Sequence, residues 1–430
     1  MSITAKSMIH GLVFLLLAAS PSLAASGLDT GDTAWVTAAT ALVLLMTLPG
    51  LALFYAGLVQ PRNVLSVLMH CFAIACLSSI VWFVLGYSLA FGEVGHGWWG
   101  GFEHAFLAGI GLETLLGTIP ENLFAVFQMT FAIITPALVV GAFVERARFL
   151  PVLLFSGFWL LLVYAPVTHW VWGGGFLSQM GVRDFAGGIV VHATAGMAAL
   201  VFALMLGPRR NFPHGLQPPH SPILTMIGAS MLWVGWFGFN GGSALAANGD
   251  AGMAILVTHI SAATATIVWI VIEKVKFGKS SLVGAVTGCI AGLASITPAS
   301  GSVGPMGGLV IGLIAGVVCY YMVNVVKDNF KIDDSLDVFA VHGIGGLLGI
   351  LLIPFLTSES YGGIGYDEGS SFSDLMTTQI IGAVSVGLFT LIGSVILLLI
   401  TKSIFGLRVT DDSQEEGLDI AEHGQSGYKL

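Results

Sequence analysis

Charged side chains are scarce in this 430-residue sequence. Asp, Glu, Lys and Arg make up only 9% of the residues, whereas a soluble globular domain averages about 25%. So little charge cannot cover the surface of a soluble protein of this length, which excludes a soluble enzyme or binding protein. Apolar residues account for 56% of the chain and its mean hydropathy is +0.91, which predicts a polytopic membrane protein.

Cysteine and the common catalytic motifs are also scarce. The chain has four cysteines, all in apolar segments and without C-x-x-C or metal-ligand spacing, so we interpret them as small buried side chains. No nucleotide-binding loop, nucleophile elbow, arginine ladder or TVGYG filter occurs. We therefore expect no catalytic residues, no resident metal or cofactor, and no nucleic-acid partner.

The first residues have the three parts of a secretory signal peptide. Lys6 supplies a positive charge, residues 12–19 form a short apolar core, and Ser22-Leu23-Ala24 is a small-residue cleavage site. The apolar core is too short to span a bilayer comfortably. We expect residues 1–25 to be a signal peptide, so that the mature chain begins outside a bacterial inner membrane. An uncleaved anchor helix is the alternative.

Long apolar segments follow, and they predict an all-α membrane domain over 26–407. Eleven spans are predicted: 33–58, 64–91, 122–145, 148–167, 189–207, 221–240, 250–273, 280–298, 304–326, 337–356 and 375–403. With the N-terminus outside, 13 Lys and Arg residues fall on the cytoplasmic side and, in the mature chain, only Arg183 falls outside. This excess of positive charge inside is typical of a correct topology, so it supports the count of eleven.

Eleven spans divide into five, five and one. Because five is odd, the second unit is inverted relative to the first, with the units at 33–207 and 221–356. His192 and His342 then occupy equivalent positions in the fifth and tenth spans, each after Val, four residues before Gly, and after an aspartate near the start of its span (Asp184 and Asp337). Inverted repeats place substrate sites near the midplane, and ionisable residues there are candidate functional sites.

The chain changes character near Arg408. The segment 408–430 is soluble and acidic, with Asp411, Asp412, Glu415, Glu416 and Asp419. The predicted topology places it in the cytoplasm with the C-terminus. Its composition fits a solvated tail, and a regulatory or partner-binding segment is the alternative.

Aromatic side chains stand where a cation would enter. Phe127 and Phe131 share one face of the third span because they are four residues apart, and Trp172 ends the fourth span. Aromatic faces attract cations, more strongly when water is excluded. Each of these residues alone is more typical of a membrane-interface or core aromatic than of a cation site.

The two matched histidines differ from His259, His70 and His169, which we interpret as structural or interfacial. Adjacent neutral imidazoles can share one hydrogen bond and turn their other nitrogens toward a pore. Such a pair suits a small polar solute that both donates and accepts hydrogen bonds.

At this point the chain resembles the bacterial ammonium transporters of the ammonium transporter/methylammonium permease/Rh group. The similarity extends over nearly the whole mature chain. The motifs that carry it are Pro49-Gly-Leu-Ala-Leu-Phe-Tyr55, Gly141-Ala-Phe-Val-Glu-Arg146, Asp184-Phe-Ala-Gly-Gly-Ile-Val-Val-His192, Gly235-Trp-Phe-Gly-Phe-Asn240, Thr297-Pro-Ala-Ser-Gly301 and Asp333-Asp-Ser-Leu-Asp-Val-Phe-Ala-Val-His342-Gly. The combination of the Asp-Phe-Ala-Gly-Gly…Val-His and Asp-Val-Phe…Val-His-Gly stretches is highly specific.

The resemblance implies an eleven-helix inverted repeat that forms a homotrimer in the bilayer with one pore per subunit. The implied substrate is ammonium or ammonia, with methylammonium as an analogue. An outer ammonium site would consist of Phe131, Trp172 and Ser243, above a stacked gate of Phe127, Phe131 and Phe239.

Further positions follow from the same resemblance. His192 and His342 match the family's twin-histidine pore, and Asp184 matches a buried aspartate that supports the outer site. Trp236 and Thr297 match pore-side positions. The segment Glu416-Gly-Leu-Asp419…His423-Gly424 resembles one that orders at the cytoplasmic face, where a PII signalling protein can dock and block the pores.

Two departures from the family pattern bear on these expectations. Met129-Thr130 replace the small Gly-Ser pair expected between the gate phenylalanines, which could alter the outer vestibule. Gln425 stands where an acidic residue is common, which makes PII regulation less secure than transport.

The mechanism we expect is recruitment of ammonium outside, loss of its proton, and passage of neutral ammonia past the histidines. Three alternatives are weighed. A sensor would have the same fold but signal through its tail. An intramembrane metalloenzyme or metal transporter would need more ligands than two histidines. A carbon dioxide channel would not need Trp172 and Ser243.

Overall fold

A computed structural model describes residues 27–93, 97–210, 212–213 and 215–428 of the chain. This part is mostly α-helical, as the apolar segments predict, and the all-α polytopic membrane fold is confirmed. The predicted signal peptide lies outside the described residues.

Ten of the described helices are long and apolar enough to cross a bilayer. With one shorter apolar helix, α8, they are α1 (Thr30–Leu58), α2 (Pro61–Phe91), α3 (Glu121–Phe143), α4 (Phe149–Gln179), α5 (Gly188–Leu206), α6 (Pro222–Gly241), α7 (Gly249–Phe277), α8 (Leu282–Ile296), α9 (Pro305–Asn329), α10 (Phe339–Leu356) and α11 (Phe372–Phe405). All eleven overlap the predicted segments, but α4 extends past its predicted end at 167 and is interrupted by a turn at 172–175.

Helix α8 differs from the prediction in length. It has 15 residues, which at 1.5 Å per residue is about 22 Å, short of the ~30 Å hydrocarbon core. The chain continues from it through turns at 297–302. Ten full-length spans are therefore described, and eleven spans remains a prediction.

The structure also has two short strands and, in the tail, two short helices. Strands β1 (Leu115–Leu116) and β2 (Ile119–Pro120) pair antiparallel before α3. The tail forms two short helices, α12 (Asp411–Glu416) and α13 (Leu418–His423).

Several helices begin where the sequence supplies a capping side chain. The Asn248 side chain accepts hydrogen bonds from the backbone N–H groups of Asp250 and Ala251 at the start of α7. Ser371 and Asp374 form a reciprocal capping box at the start of α11. These polar caps fix the points at which apolar sequence enters the membrane.

Helices α5 and α10 cross where glycine faces glycine. A Cβ added to Gly196 would lie 2.2 Å from the Gly343 Cα, and one added to Gly346 would lie 2.5 Å from a backbone oxygen of α5. Small residues allow this close approach between membrane helices. Because Gly196 and Gly346 each follow a histidine by four residues, the crossing brings His192 and His342 together.

The loops assigned to one side of the membrane meet in a single buried cluster. Arg209 forms ion pairs with Asp333 at 2.8 Å and with Glu145 at 3.0 Å. The fully buried Arg146 donates to Ser335 Oγ at 2.6 Å and to four loop and helix-end carbonyls nearby. Burial lowers the pKa of Arg146 to about 10 although the charge of Asp333 opposes the shift.

Arg183 lies with the loops assigned to the opposite side. Its guanidinium pairs with Asp367 at 2.8 Å and donates to Thr357 Oγ1 at 2.9 Å. Both partners belong to the loop between α10 and α11. The contacts within the fold therefore agree with the predicted grouping of loops.

The acidic tail packs against the inner loops rather than extending away from them. Asn63 Oδ1 accepts from the Leu418 N–H at 2.9 Å, and Asp419 Oδ1 accepts from the Ser66 N–H at 2.8 Å. Arg210 pairs with Glu415 at 2.6 Å. The tail thus joins the N-terminal end of α2 to the loop before α6.

Candidate functional site

His192 and His342 are in direct contact inside the helical bundle. Their Nδ1 atoms lie 3.2 Å apart and their rings stack with centroids 5.2 Å apart. Both side chains are buried, with exposures of 1% and 4%. A hydrogen bond at this distance requires one Nδ1 to donate and the other to accept, so the pair holds one proton between its two rings.

Both histidines lie in π-helical turns at the start of their helices. Gly188–Ala193 contains His192 and Phe339–Gly343 contains His342. A π-turn widens the helix by one residue and is frequent at functional sites. The same local distortion in α5 and α10 turns both imidazoles toward each other.

An aromatic column continues from His192. The His192 ring stacks on Trp236 at 5.5 Å and on Phe239 at 5.9 Å, and Phe239 packs on Phe131 at 4.3 Å. Phe239 itself belongs to a π-turn, Phe237–Gly241, at the end of α6. The packed rings of Trp236, Phe239 and Phe131 therefore separate the histidine pair from the space beyond Phe131.

An outer vestibule lies on the other side of Phe131. It has a volume of about 370 Å³ and is lined by Phe91, Leu116, Phe124, Gln128, Val171, Trp172, Phe185, Ser243 and Leu245. The ring of Trp172 meets Phe131 at 5.8 Å, edge to face. Two of the three predicted outer-site residues thus line the vestibule, and the third closes its floor.

A narrow central cavity follows below the rings. Its volume is about 10 Å³, at the lower limit of the 10–15 Å³ that one water molecule needs. The walls are Met46, Leu51, Phe54, Ile134, Leu138, Val191, His192, Leu232, Trp236, Phe239, Ile290 and His342. The two imidazoles supply ring nitrogens to a cavity that is otherwise almost entirely apolar.

A cavity of about 220 Å³ begins at His342, and we call it the inner vestibule after the side that the predicted topology assigns to it. His342 and Phe54 border both this vestibule and the central cavity, and Lys327, Asp337 and Arg209 line its wider end. The three spaces succeed one another along the bundle with rings between the first and second and His342 between the second and third.

Phe127 packs against Phe131, with ring centroids 5.1 Å apart. Neither ring is among the described residues that line the outer vestibule or the central cavity. Phe131 contacts one lining ring of each space, Trp172 at 5.8 Å and Phe239 at 4.3 Å, so the three predicted gate rings form one packed group.

Asp184 caps the start of α5. Its carboxylate accepts hydrogen bonds from the backbone N–H groups of Gly187, Gly188, Ile189 and Val190 at 2.5–3.1 Å. Burial raises the pKa of Asp184, whereas these bonds oppose the rise. The Asp184 carbonyl also accepts from Trp172 Nε1 at 2.8 Å, so one residue fixes both α5 and an aromatic of the vestibule.

The equivalent of Asp184 in the second half is Asp334, not Asp337 as we expected. Asp334 precedes His342 by eight residues, as Asp184 precedes His192, and its Oδ2 accepts from the Phe339 N–H at 2.7 Å. Burial, with the nearby charge of Asp337, raises the pKa of Asp334 to about 7. Asp337 instead pairs with Lys327 at 2.6 Å.

Trp236 and Thr297 form a buried pair behind the cavity. Trp236 Nε1 donates to Thr297 Oγ1 at 2.8 Å, and that hydroxyl donates to the Leu293 carbonyl at 2.7 Å. Trp236 lines the cavity and Thr297 does not. The threonine therefore holds the indole ring against His192.

Sequence reasoning missed Gln128 and most of the apolar cavity wall. Gln128 lines the outer vestibule from α3. Its signal was a lone amide in an apolar helix, four residues after Phe124. The wall residues Met46 and Ile290 gave no signal, because apolar residues lining a pore look like apolar residues facing lipid.

The described residues contain no group of three or more His, Cys, Asp or Glu side chains that could hold a metal ion. Two imidazoles alone make a poor closed site.

Comparison with known sequences identifies the family. The Ammonium Transporter Family matches residues 34–428. A putative ammonium transporter of Methanothermobacter thermautotrophicus is 46% identical, covering 94% of this chain and 99% of its own. The ammonium transporter of Bacillus subtilis is 44% identical with the same coverage.

Solved structures agree with the sequences. A sensor Amt protein superposes with a TM-score of 0.85 at 31% identity, covering 91% of this chain and 98% of its own. Candida albicans Mep2 superposes with a TM-score of 0.83 at 32% identity, covering 94% of each chain. This multi-pass membrane protein belongs to the Ammonium Transporter Family, a family of transporters and not of enzymes.

Proposed function

We propose that the protein carries ammonium nitrogen into the cell as ammonia. Ammonium is recruited in the outer vestibule by the faces of Phe131 and Trp172 and by Ser243. It gives its proton to solvent water at the vestibule, and neutral ammonia passes Phe131 and Phe239 and then the His192–His342 pair into the inner vestibule.

The proposal rests on four features that follow one another along the bundle. They are an outer vestibule, a barrier of aromatic rings, a cavity for about one small molecule beside two imidazoles, and an inner vestibule. Moving a charged ion into an almost wholly apolar cavity without a counter-charge is very costly. A neutral molecule that donates and accepts hydrogen bonds avoids most of this cost, because the imidazole pair offers both kinds of group. Potassium cannot lose its charge, so it is rejected.

Uptake by the purified protein in proteoliposomes tests the proposal. We expect an inward gradient of labelled methylammonium to give uptake that unlabelled ammonium inhibits and potassium at the same concentration does not. Liposomes without protein give the background. Background-level uptake under every gradient would contradict transport.

A sensor is the second candidate. The superposition on a sensor Amt protein and a tail that packs against the inner loops both favour it. In that case the vestibule binds ammonium and the tail transmits the signal. Ammonium-dependent change in tail protection, without any uptake in proteoliposomes, would favour the sensor over the transporter.

The cellular setting forms part of the proposal. Residues 1–25 direct the chain to the bacterial inner membrane, with residues 26–407 as the transport domain, the N-terminus outside and the C-terminus in the cytoplasm. Three copies assemble with one pore each. The positive-inside distribution of Lys and Arg supports this orientation.

We further propose that a cytoplasmic PII protein docks at the inner face. The tail lies beside the inner vestibule, since Gln414 and Glu415 line a neighbouring pocket that shares Arg209 and Gln217 with it. A partner that moves the tail would therefore act close to the pore exit. Co-purification of a PII protein that is lost on deletion of 408–430 would support this step.

A further inference from the structure

The outer vestibule has few polar side chains. Gln128, Trp172 and Ser243 are its uncharged polar or amphipathic members, among rings and aliphatic groups. Trp172 Nε1 already donates to the Asp184 carbonyl, and an indole accepts no conventional hydrogen bond. Ser243 donates to the Phe239 carbonyl at 2.8 Å, so its oxygen keeps its lone pairs for an incoming donor.

Among the polar side chains of the outer vestibule, Gln128 has a buried atom without a hydrogen-bond partner in the described residues. It is only 8% exposed, and its Oε1 has no hydrogen-bond partner in the described part of the chain. A buried acceptor without a donor is costly, and such groups in folded proteins call for an explanation. Because rotation about the last side-chain bond exchanges the amide oxygen and nitrogen, no protein contact stops the oxygen from turning to the vestibule.

The position of Gln128 on α3 places it among the recruiting rings. Phe124 precedes it by four residues and Phe131 follows it by three, which are same-face spacings on a helix. Phe124 lines the vestibule and Phe131 closes its floor through its contact with Trp172. Gln128 lines the same space as Trp172 and Ser243, so its amide oxygen, which is buried and unpartnered in this structure, would reach that space when the amide turns.

We propose that the Gln128 amide oxygen accepts a hydrogen bond from ammonium in the outer vestibule, together with Ser243. The inference rests on the transport proposal and adds a specificity-determining residue to it. Ammonium has four N–H donors and no lone pair, so it needs acceptors, and rings alone satisfy its charge without ordering its N–H groups. Two acceptors beside two rings distinguish a tetrahedral donor from a spherical cation.

Concentration dependence of ammonium-evoked currents in proteoliposomes tests this role. Gln128→Met keeps the side-chain length but removes the acceptor, and we expect its half-saturating ammonium concentration to rise about tenfold or more. The current at saturation should stay within about twofold, because the path below Phe131 is unchanged. Gln425→Met, the same substitution at an exposed tail position, should leave both quantities unchanged.

The Gln128→Glu variant shows whether the Gln128 oxygen binds ammonium or whether the side chain only fills space. If the oxygen binds ammonium, Glu restores acceptors and adds charge, so its half-saturating concentration should equal or fall below that of the unaltered protein. If Gln128 only fills space, Gln128→Met should have the lower half-saturating ammonium concentration and Gln128→Glu the higher one, because Met suits an apolar wall and Glu does not. That reversed order, or unchanged affinity in Gln128→Met while ammonium currents persist, would overturn the inference alone. Absence of both current and labelled methylammonium uptake in the unaltered protein would overturn it together with transport.

Discussion

At the scale of single residues, the histidine pair has neither a second bridging proton nor a carboxylate beside it in the described cavity wall. Between Nδ1 atoms 3.2 Å apart there is room for one proton. A second proton there would make one ring a buried imidazolium and set its N–H against the N–H of the other ring. The described surroundings bring no carboxylate to the cavity wall. The pair therefore offers dipoles and not a fixed charge, which suits a neutral solute and disfavours an ion.

The Trp236–Thr297 hydrogen bond should be measurable by a double-mutant cycle. Trp236→Phe and Thr297→Val each remove one partner of the 2.8 Å bond. Within membrane proteins such bonds contribute about 0.6 kcal/mol on average and up to about 1.7 kcal/mol. We expect a coupling free energy in that range from thermal unfolding in detergent.

The two single variants should also differ in transport. Trp236→Phe changes a cavity wall and should alter ammonium currents, whereas Thr297→Val acts only by loosening the ring. A coupling energy of zero would show that the threonine does not hold the indole.

Single residues also mark the limit of sequence prediction. His192 and His342 could be predicted to meet, because matched spacing to glycine reveals which residues share a crossing. The roles of Gln128 and Asp334 could not be predicted. Gln128 stands out only because its amide oxygen has no hydrogen-bond partner. Asp334 stands out only because the folded backbone brings the Phe339 N–H to its carboxylate. The family resemblance implies that Phe127 belongs to the gate, and its ring packs on Phe131 at 5.1 Å, but a shared helix face does not fix which ring a solute meets.

At the scale of helices, the crossing of α5 and α10 sets the geometry of the site. Glycines at the contact let the backbones touch, and the two π-turns orient the imidazoles. The helix bounds follow from hydropathy and capping residues, so the sequence predicted them well. The π-turns arise from tertiary packing and carry no signature that hydropathy detects.

Gly196→Ala should disrupt this crossing. The added methyl would lie 2.2 Å from the Gly343 Cα, a backbone atom that cannot move alone. We expect a loss of about 1–3 kcal/mol in the free energy of unfolding and a fall in transport as the histidines separate. Thermal unfolding and labelled methylammonium uptake on the same preparations give both quantities.

Gly387→Ala in α11 is the matched control. A Cβ there meets Met197 Cε at 4.0 Å, an ordinary contact. It should be neutral or stabilise by up to about 1 kcal/mol, since alanine favours the helix. Equal losses in the two variants would show that helix propensity, not the close crossing, matters at Gly196.

At the scale of the whole molecule, the docked tail connects three parts of the inner face. Glu422 Oε2 accepts from the Phe149 N–H at 2.9 Å, and the Phe149 ring lies between His423 at 5.0 Å and His70 at 5.1 Å. The similarity of the sequence to its family predicted an ordered tail. The contacts that hold it could not be predicted, because they join residues more than 200 positions apart.

Tail docking should weaken as the pH on the inner side falls. Burial lowers the pKa of His423 below its usual 6.5, although Glu422 and Asp419 nearby oppose the shift. A released tail regains the usual pKa, so it binds the proton more readily than the docked tail. Docking is therefore strongest above pH 6.5 and weakens as pH falls below it.

Hydrogen exchange of amides in 411–423 checks this expectation. Protection should fall between pH 7.5 and 5.5 after correction for intrinsic exchange rates, and His423→Gln should flatten the change. Protection that falls equally in both proteins would assign the pH dependence to other groups, of which His70, Asp419 and Glu422 are nearest.

Ion rejection at the histidine pair is the central claim, and currents on a solid-supported membrane test it most directly. Pulses of ammonium and of potassium are applied to proteoliposomes of the unaltered protein and of His192→Ala/His342→Ala. We expect the unaltered protein to give currents with ammonium only, or uptake without current if the proton does not cross. The double variant should lose ammonium transport or admit potassium. Intact ammonium transport with intact potassium rejection in the double variant would contradict the role assigned to His192 and His342.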